Sequence, residues 1–70
     1  MQLIKSNKGD EKRIIKVDLQ HDQKSKFEHM GFLSGEMIKV ISKTNGIYVL
    51  EVKGSRIAID ELTAAKISVY

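Results

Sequence analysis

The stretch from Lys26 to Ile41, Lys-Phe-Glu-His-Met-Gly-Phe-Leu-Ser-Gly-Glu-Met-Ile-Lys-Val-Ile, constrains the fold most, because it holds a helix end, a turn and a strand start. Phe27 and Met30 share one helical face, and Gly31 stands where a left-handed residue closes a helix. Phe32 then folds back as the hydrophobic contact of that closure. Ser34-Gly35 supplies a second turn, after which Ile38 and Val40 alternate with Lys39 in the manner of a half-buried strand. Packing and turn geometry explain every residue of this stretch without a catalytic or ligand group.

Around it the chain divides by the same signals. Leu3-Ile4 is a short apolar start, and the polar Ser6–Glu11 segment is a loop. Ile15, Val17 and Leu19 alternate with Lys16 and Asp18, which predicts a first full strand with all three apolar side chains on one face. Asp22 is placed to cap a helix over about 22–30, with Phe27 and Met30 facing inward.

The remaining strands can be aligned by requiring apolar residues to meet across each turn. A two-residue Gly54-Ser55 turn pairs Val52 with Ile57 and Leu50 with Ile59. A two-residue Asn45-Gly46 turn would mix faces by setting Val40 opposite Glu51. A three-residue loop, Thr44-Asn45-Gly46 with Gly46 left-handed, instead pairs Val40 with Leu50 and Ile38 with Val52, and is preferred. Asp60 can cap a 3₁₀ or helical turn over about 61–64, and Ile67-Ser68-Val69 makes a last strand. The expected fold is mostly β: about five antiparallel strands and one short helix, closed into a small barrel by pairing the last strand with the first.

Composition narrows the function. Seventy residues allow one domain, 1–70, with a small core, and there is no cysteine to form a disulfide or a thiolate zinc site. No apolar run approaches the roughly 20 residues that span a bilayer, so a soluble intracellular protein is expected. The formal net charge is +3, but acidic residues such as Asp10, Glu11, Asp18 and Asp22 are scattered among the basic ones. A nucleic-acid surface normally gathers its basic residues in one stripe with interleaved aromatics, so no nucleic-acid partner is expected.

His21, Asp22, Glu28 and His29 lie close in sequence, yet His21 and His29 are too far apart to share one helical face at the three- or four-residue spacing that metal pairs use. No metal or cofactor site is assigned. Ser25 and Ser34 lack a base and an orienting acid at recognisable spacing, so no catalytic residue is assigned either. A proline-peptide groove would need exposed aromatics. There is no tryptophan, Tyr48 faces the core and Tyr70 is terminal. Phe32, Leu33 and Met37 crowd the Ser34-Gly35 turn, and with Phe32 engaged in closing the helix, Leu33 and Met37 are the candidate exposed contact pair.

Met30-Gly31-Phe32 with Ser34-Gly35 resembles the helix end and turn of the ferrous iron transport protein A family (FeoA), small SH3-like barrels, with Ser34 in place of the usual proline. Leu50-Glu51-Val52-Lys53-Gly54 and Ile57-Ala58-Ile59 are similar to the family's central hairpin, and Ala64, Ile67 and Val69 to its closing positions. Asp60 departs where a basic residue is common. The match runs from about Leu3 to Val69, and Gly31, Gly35, Gly46 and Gly54 are its structural turns. Similar barrels end metal-dependent repressors of the diphtheria toxin repressor type, whose DNA-binding helices are not expected here.

The resemblance implies a cytoplasmic, non-catalytic interaction module acting on a ferrous iron permease and its cytosolic GTP-binding domain, without membrane insertion of its own. Leu33 and Met37, with Lys24 contributing charge, are the candidate contact residues. The alternatives are a small basic nucleic-acid-binding barrel and a metal-responsive regulatory module.

Overall fold

The computed structural model describes residues 1–70. A 3₁₀ turn at Leu3–Lys5 precedes β1 (Glu11–Val17), α1 (His21–His29), β2 (Met37–Thr44), β3 (Ile47–Val52), β4 (Ser55–Asp60), α2 (Glu61–Ala64) and β5 (Ile67–Val69). All pairings are antiparallel, in the order β4-β3-β2-β1-β5. The last strand does pair with the first, while β4 and β5 stay apart, so the barrel is only partly closed. No helix is long and apolar enough to cross a membrane.

The strand β1 serves two partners. Glu11–Arg13 pair with β2, and from Ile14 onward the strand pairs with β5. The register slips between Ile14 and Lys16, a bulge that bends the strand from one partner to the other. This bulge corrects the expected face of β1: Ile14 and Val17 are buried, Ile15 is 48% exposed, and Leu19 packs on the core from beyond the strand.

Both hairpin turns also differ from expectation. Thr44 pairs with Ile47 across a two-residue Asn45-Gly46 turn, with φ of 52° and 78°. Val40 still pairs with Leu50, because the register shifts between Val40 and Ser42. The bulge lies inside the strand, at Ile41, and not in the loop. In the second hairpin the turn is Lys53-Gly54, with φ of 49° and 79°, and Val52 pairs with Ser55. Two positive φ values give a turn whose twist matches that of the strands. The expected Gly54-Ser55 register would have set Tyr48 opposite Glu61, whereas the observed one sets Tyr48 opposite Ile59 and Leu50 opposite Ile57.

Fourteen apolar residues form the core, drawn from every strand together with Leu3, Phe32 and Ala64. The 3₁₀ turn is tied to the first hairpin. The Tyr48 hydroxyl donates to the Ile4 carbonyl at 2.9 Å, and Lys43 Nζ donates to the carbonyls of Ile4 and Ser6 at 3.3 and 3.2 Å.

Candidate functional site

The segment between α1 and β2 is built from the helix end outward. Helix α1 has no fully buried residue, and Gln20, not Asp22, is its N-cap, without a capping side-chain bond. Its C-terminal end holds it in place. Gly31 N–H donates to the Glu28 carbonyl at 3.0 Å and Phe32 N–H to the Phe27 carbonyl at 2.9 Å, the two bonds of a Schellman closure. Gly31 has φ of 88°, which a side chain would resist. Phe32 is completely buried and meets the half-buried Phe27 edge-on, with ring centroids 5.5 Å apart. Met30, expected inside, is the C-cap residue and 39% exposed, because the closure turns the chain before its side chain reaches the core.

The turn that follows is fastened from two sides. From β1, Ile14 N–H donates to the Glu36 carbonyl at 2.9 Å, Gly35 N–H donates to the Ile14 carbonyl at 2.7 Å, and Arg13 Nη1 donates to the Gly35 carbonyl at 2.6 Å. From the β3–β4 turn, Lys53 lays its stem over Gly31, where an added Cβ would stand 3.1 Å from Lys53 Cδ. Lys53 Nζ then reaches Glu36 Oε1 at 3.1 Å. The pair is partly exposed and contributes little stability, but it fixes where the turn sits.

On this fastened turn Leu33 and Met37 are 36% and 45% exposed. Glu36 N–H donates to the Leu33 carbonyl at 3.1 Å, and Met37 opens β2 opposite Arg13, so the two residues flank one turn. Lys24 is exposed on α1 and has no hydrogen bond or ion pair to the turn. Gly35, Gly46 and Gly54 all have positive φ, like Gly31.

Sequence reasoning placed two further apolar residues inside, Met30 and Ile15, that are exposed. The Ile14-Ile15 doublet was the available signal, since it breaks the alternation and so allows a bulge. No three His, Asp or Glu side chains gather closely enough to hold a metal ion. The Asp60 carboxyl is held below its ordinary range. Thr63, through its hydroxyl and its backbone N–H, holds it lower, and Lys66 adds to the effect. That carboxylate serves α2, with Thr63 N–H donating to Asp60 Oδ1 at 2.9 Å.

A family model described as the FeoA domain matches residues 1–70. Among solved structures, an iron uptake regulatory protein (FeoA) is 27% identical, with a TM-score of 0.84 over 99% of this chain and 93% of that one. The FeoA protein from Chlorobium tepidum is 18% identical, with a TM-score of 0.94 over 100% of this chain and 69% of that one. The IdeR protein of T. acidophilum is 21% identical, with a TM-score of 0.84, but this chain spans only 32% of it. The latter two likenesses concern the fold. No curated protein matches the sequence.

Proposed function

Because this chain belongs to the FeoA domain family, which is associated with ferrous iron transport, we propose that it is a non-catalytic interaction module that docks on the cytosolic GTP-binding domain of a ferrous iron permease. The observation that carries this reading is the turn at Leu33–Met37. It exposes two large apolar side chains on backbone held by Arg13, Ile14 and Lys53, so a partner meets a preformed surface. The structure that is 27% identical bears the description of a regulatory protein of iron uptake, which supports a regulatory role over an iron-carrying one. In this reading Lys24 contributes to encounter with an acidic surface, and the apolar pair contributes to retention.

The experiment is a pull-down and titration with the permease's cytosolic domain. Leu33 is already partly in water, so Leu33→Glu leaves thermal unfolding nearly unchanged while weakening binding. Lys24→Glu has a smaller, salt-dependent effect. Full binding by folded Leu33→Glu protein would reject this surface, and absence of binding by the unaltered protein would reject direct docking.

A further inference from the structure

The sheet ends in two edges, and only one is covered. Along β5, Gln2 bridges to Ser68, Met1 N donates to the Val69 carbonyl at 2.8 Å, and Val69 N–H donates to the Met1 carbonyl at 2.7 Å. β4 has no strand on its outer side. Val52 and Ser55 flank the two-residue turn and so form a hydrogen-bonded pair, and the ladder alternates from there. Ile57 and Ile59 therefore bond inward to β3, and the N–H and C=O groups of Arg56 and Ala58 point outward. No turn, loop or cap bond uses them. Their side chains, and that of Asp60, are exposed.

Such an edge is a template for another strand, and the sequence of β4 identifies which one. Arg56-Ile57-Ala58-Ile59-Asp60 is symmetric about Ala58 in its apolar residues and opposite in charge at its ends. In an antiparallel pairing of two copies about a two-fold axis at Ala58, Ala58 faces Ala58, Ile57 faces Ile59, and Arg56 of each copy faces Asp60 of the other. The outward groups of Ala58 then exchange two bonds, and alanine brings neither bulk nor charge to the axis. A slip of two residues would set Arg56 opposite Ala58 and leave both charges unmatched. In the single chain Arg56 has only a long contact with Glu51, at 3.5 Å, and Asp60, which takes the Thr63 N–H on Oδ1, has no ion pair of its own.

We infer that the protein forms a two-fold dimer in which the β4 edges of two copies pair about Ala58, independently of any docking through Leu33. Sedimentation equilibrium of the full chain, from roughly 10 µM to 1 mM as suits a small interface, is expected to show the mass rising from 7.9 kDa toward twice that value. The amide signals of Arg56 and Ala58 are expected to shift over the same range. Ala58→Lys places two like charges at the axis from an exposed position, so it is expected to stay monomeric with unchanged thermal unfolding. Arg56→Glu and Asp60→Lys are each expected to stay monomeric, and their equimolar mixture is expected to dimerise, since every new charge then meets its opposite. Asp60→Lys also removes the α2 cap, so its circular dichroism is compared with that of the parent. Should that variant unfold, Ala58→Lys and Arg56→Glu alone decide the matter. A wild-type monomer at the highest concentration overturns the inference, as does a dimer of undiminished strength in folded Ala58→Lys.

Discussion

At the scale of single residues, two polar side chains have opposite standing. Ser6 is completely buried, and its Oγ has no hydrogen-bond partner, although its backbone bonds to Leu3 and Lys43. An orphaned buried hydroxyl carries its desolvation cost without return. Ser6→Ala is therefore expected to leave the thermal midpoint unchanged or raise it. A loss above about 1 kcal/mol in a urea titration would show that the hydroxyl has a partner. Asp60, by contrast, has its partner at the start of α2, where Thr63 lowers its pKa. A group depressed in the folded state contributes stability that is present above its unfolded pKa and fades as pH falls through the folded one. Asp60→Asn keeps a capping oxygen but cannot titrate. Its difference from the parent should therefore shrink as pH falls below the usual carboxylate range, and unfolding curves from neutral to acidic pH will check this. Gly31 was legible as a left-handed closure because glycine there has one strong local reading. Ser6 was not legible, because nothing in a polar loop sequence announces burial.

At the scale of elements, α1 is the weakest part. It buries no residue completely, begins at Gln20 without a side-chain cap, and is held by Gly31, Phe27 and Phe32 at its other end. Gln23 already stands three residues after Gln20, the spacing of a reciprocal cap. Gln20→Ser should therefore stabilise the helix by about 0.5–1 kcal/mol, read as slower amide exchange in α1 with little change in the strands. The existence and order of the elements could be read from the sequence because each has its own periodicity. Their registers could not. In the second hairpin, a shift of two residues still leaves Leu50, Ile57 and Ile59 opposite apolar partners and moves only Val52 to face Ser55, so the pattern chooses weakly between Gly54-Ser55 and Lys53-Gly54 as the turn. The placement of Tyr48 opposite Ile59 makes that choice. Ile15 and Ile41 defeated strict alternation for a related reason, since a bulge changes the face of everything beyond it.

At the scale of the whole molecule, a chain of 70 residues without a disulfide holds itself together with one cluster of fourteen apolar side chains. The core contains no metal ligand, so folding is expected to be unaffected by chelator. Equal unfolding curves with and without a strong chelator will check this, and a lowered midpoint would reveal a structural ion. The apolar and glycine pattern from Leu3 to Val69 was enough to specify the antiparallel strands and the helix closed at Gly31, because these depend on local conformation and on which residues avoid water. Only the tertiary structure decided that Ile15 and Met30 lie outside, that Lys53 and Arg13 fasten the turn bearing Leu33 and Met37, and that β4 is left as the open edge. Those outcomes depend on where bulges bend the strands and on which distant groups then come within bonding distance. Residues far apart in sequence settle these through packing and geometry, and no local pattern records them.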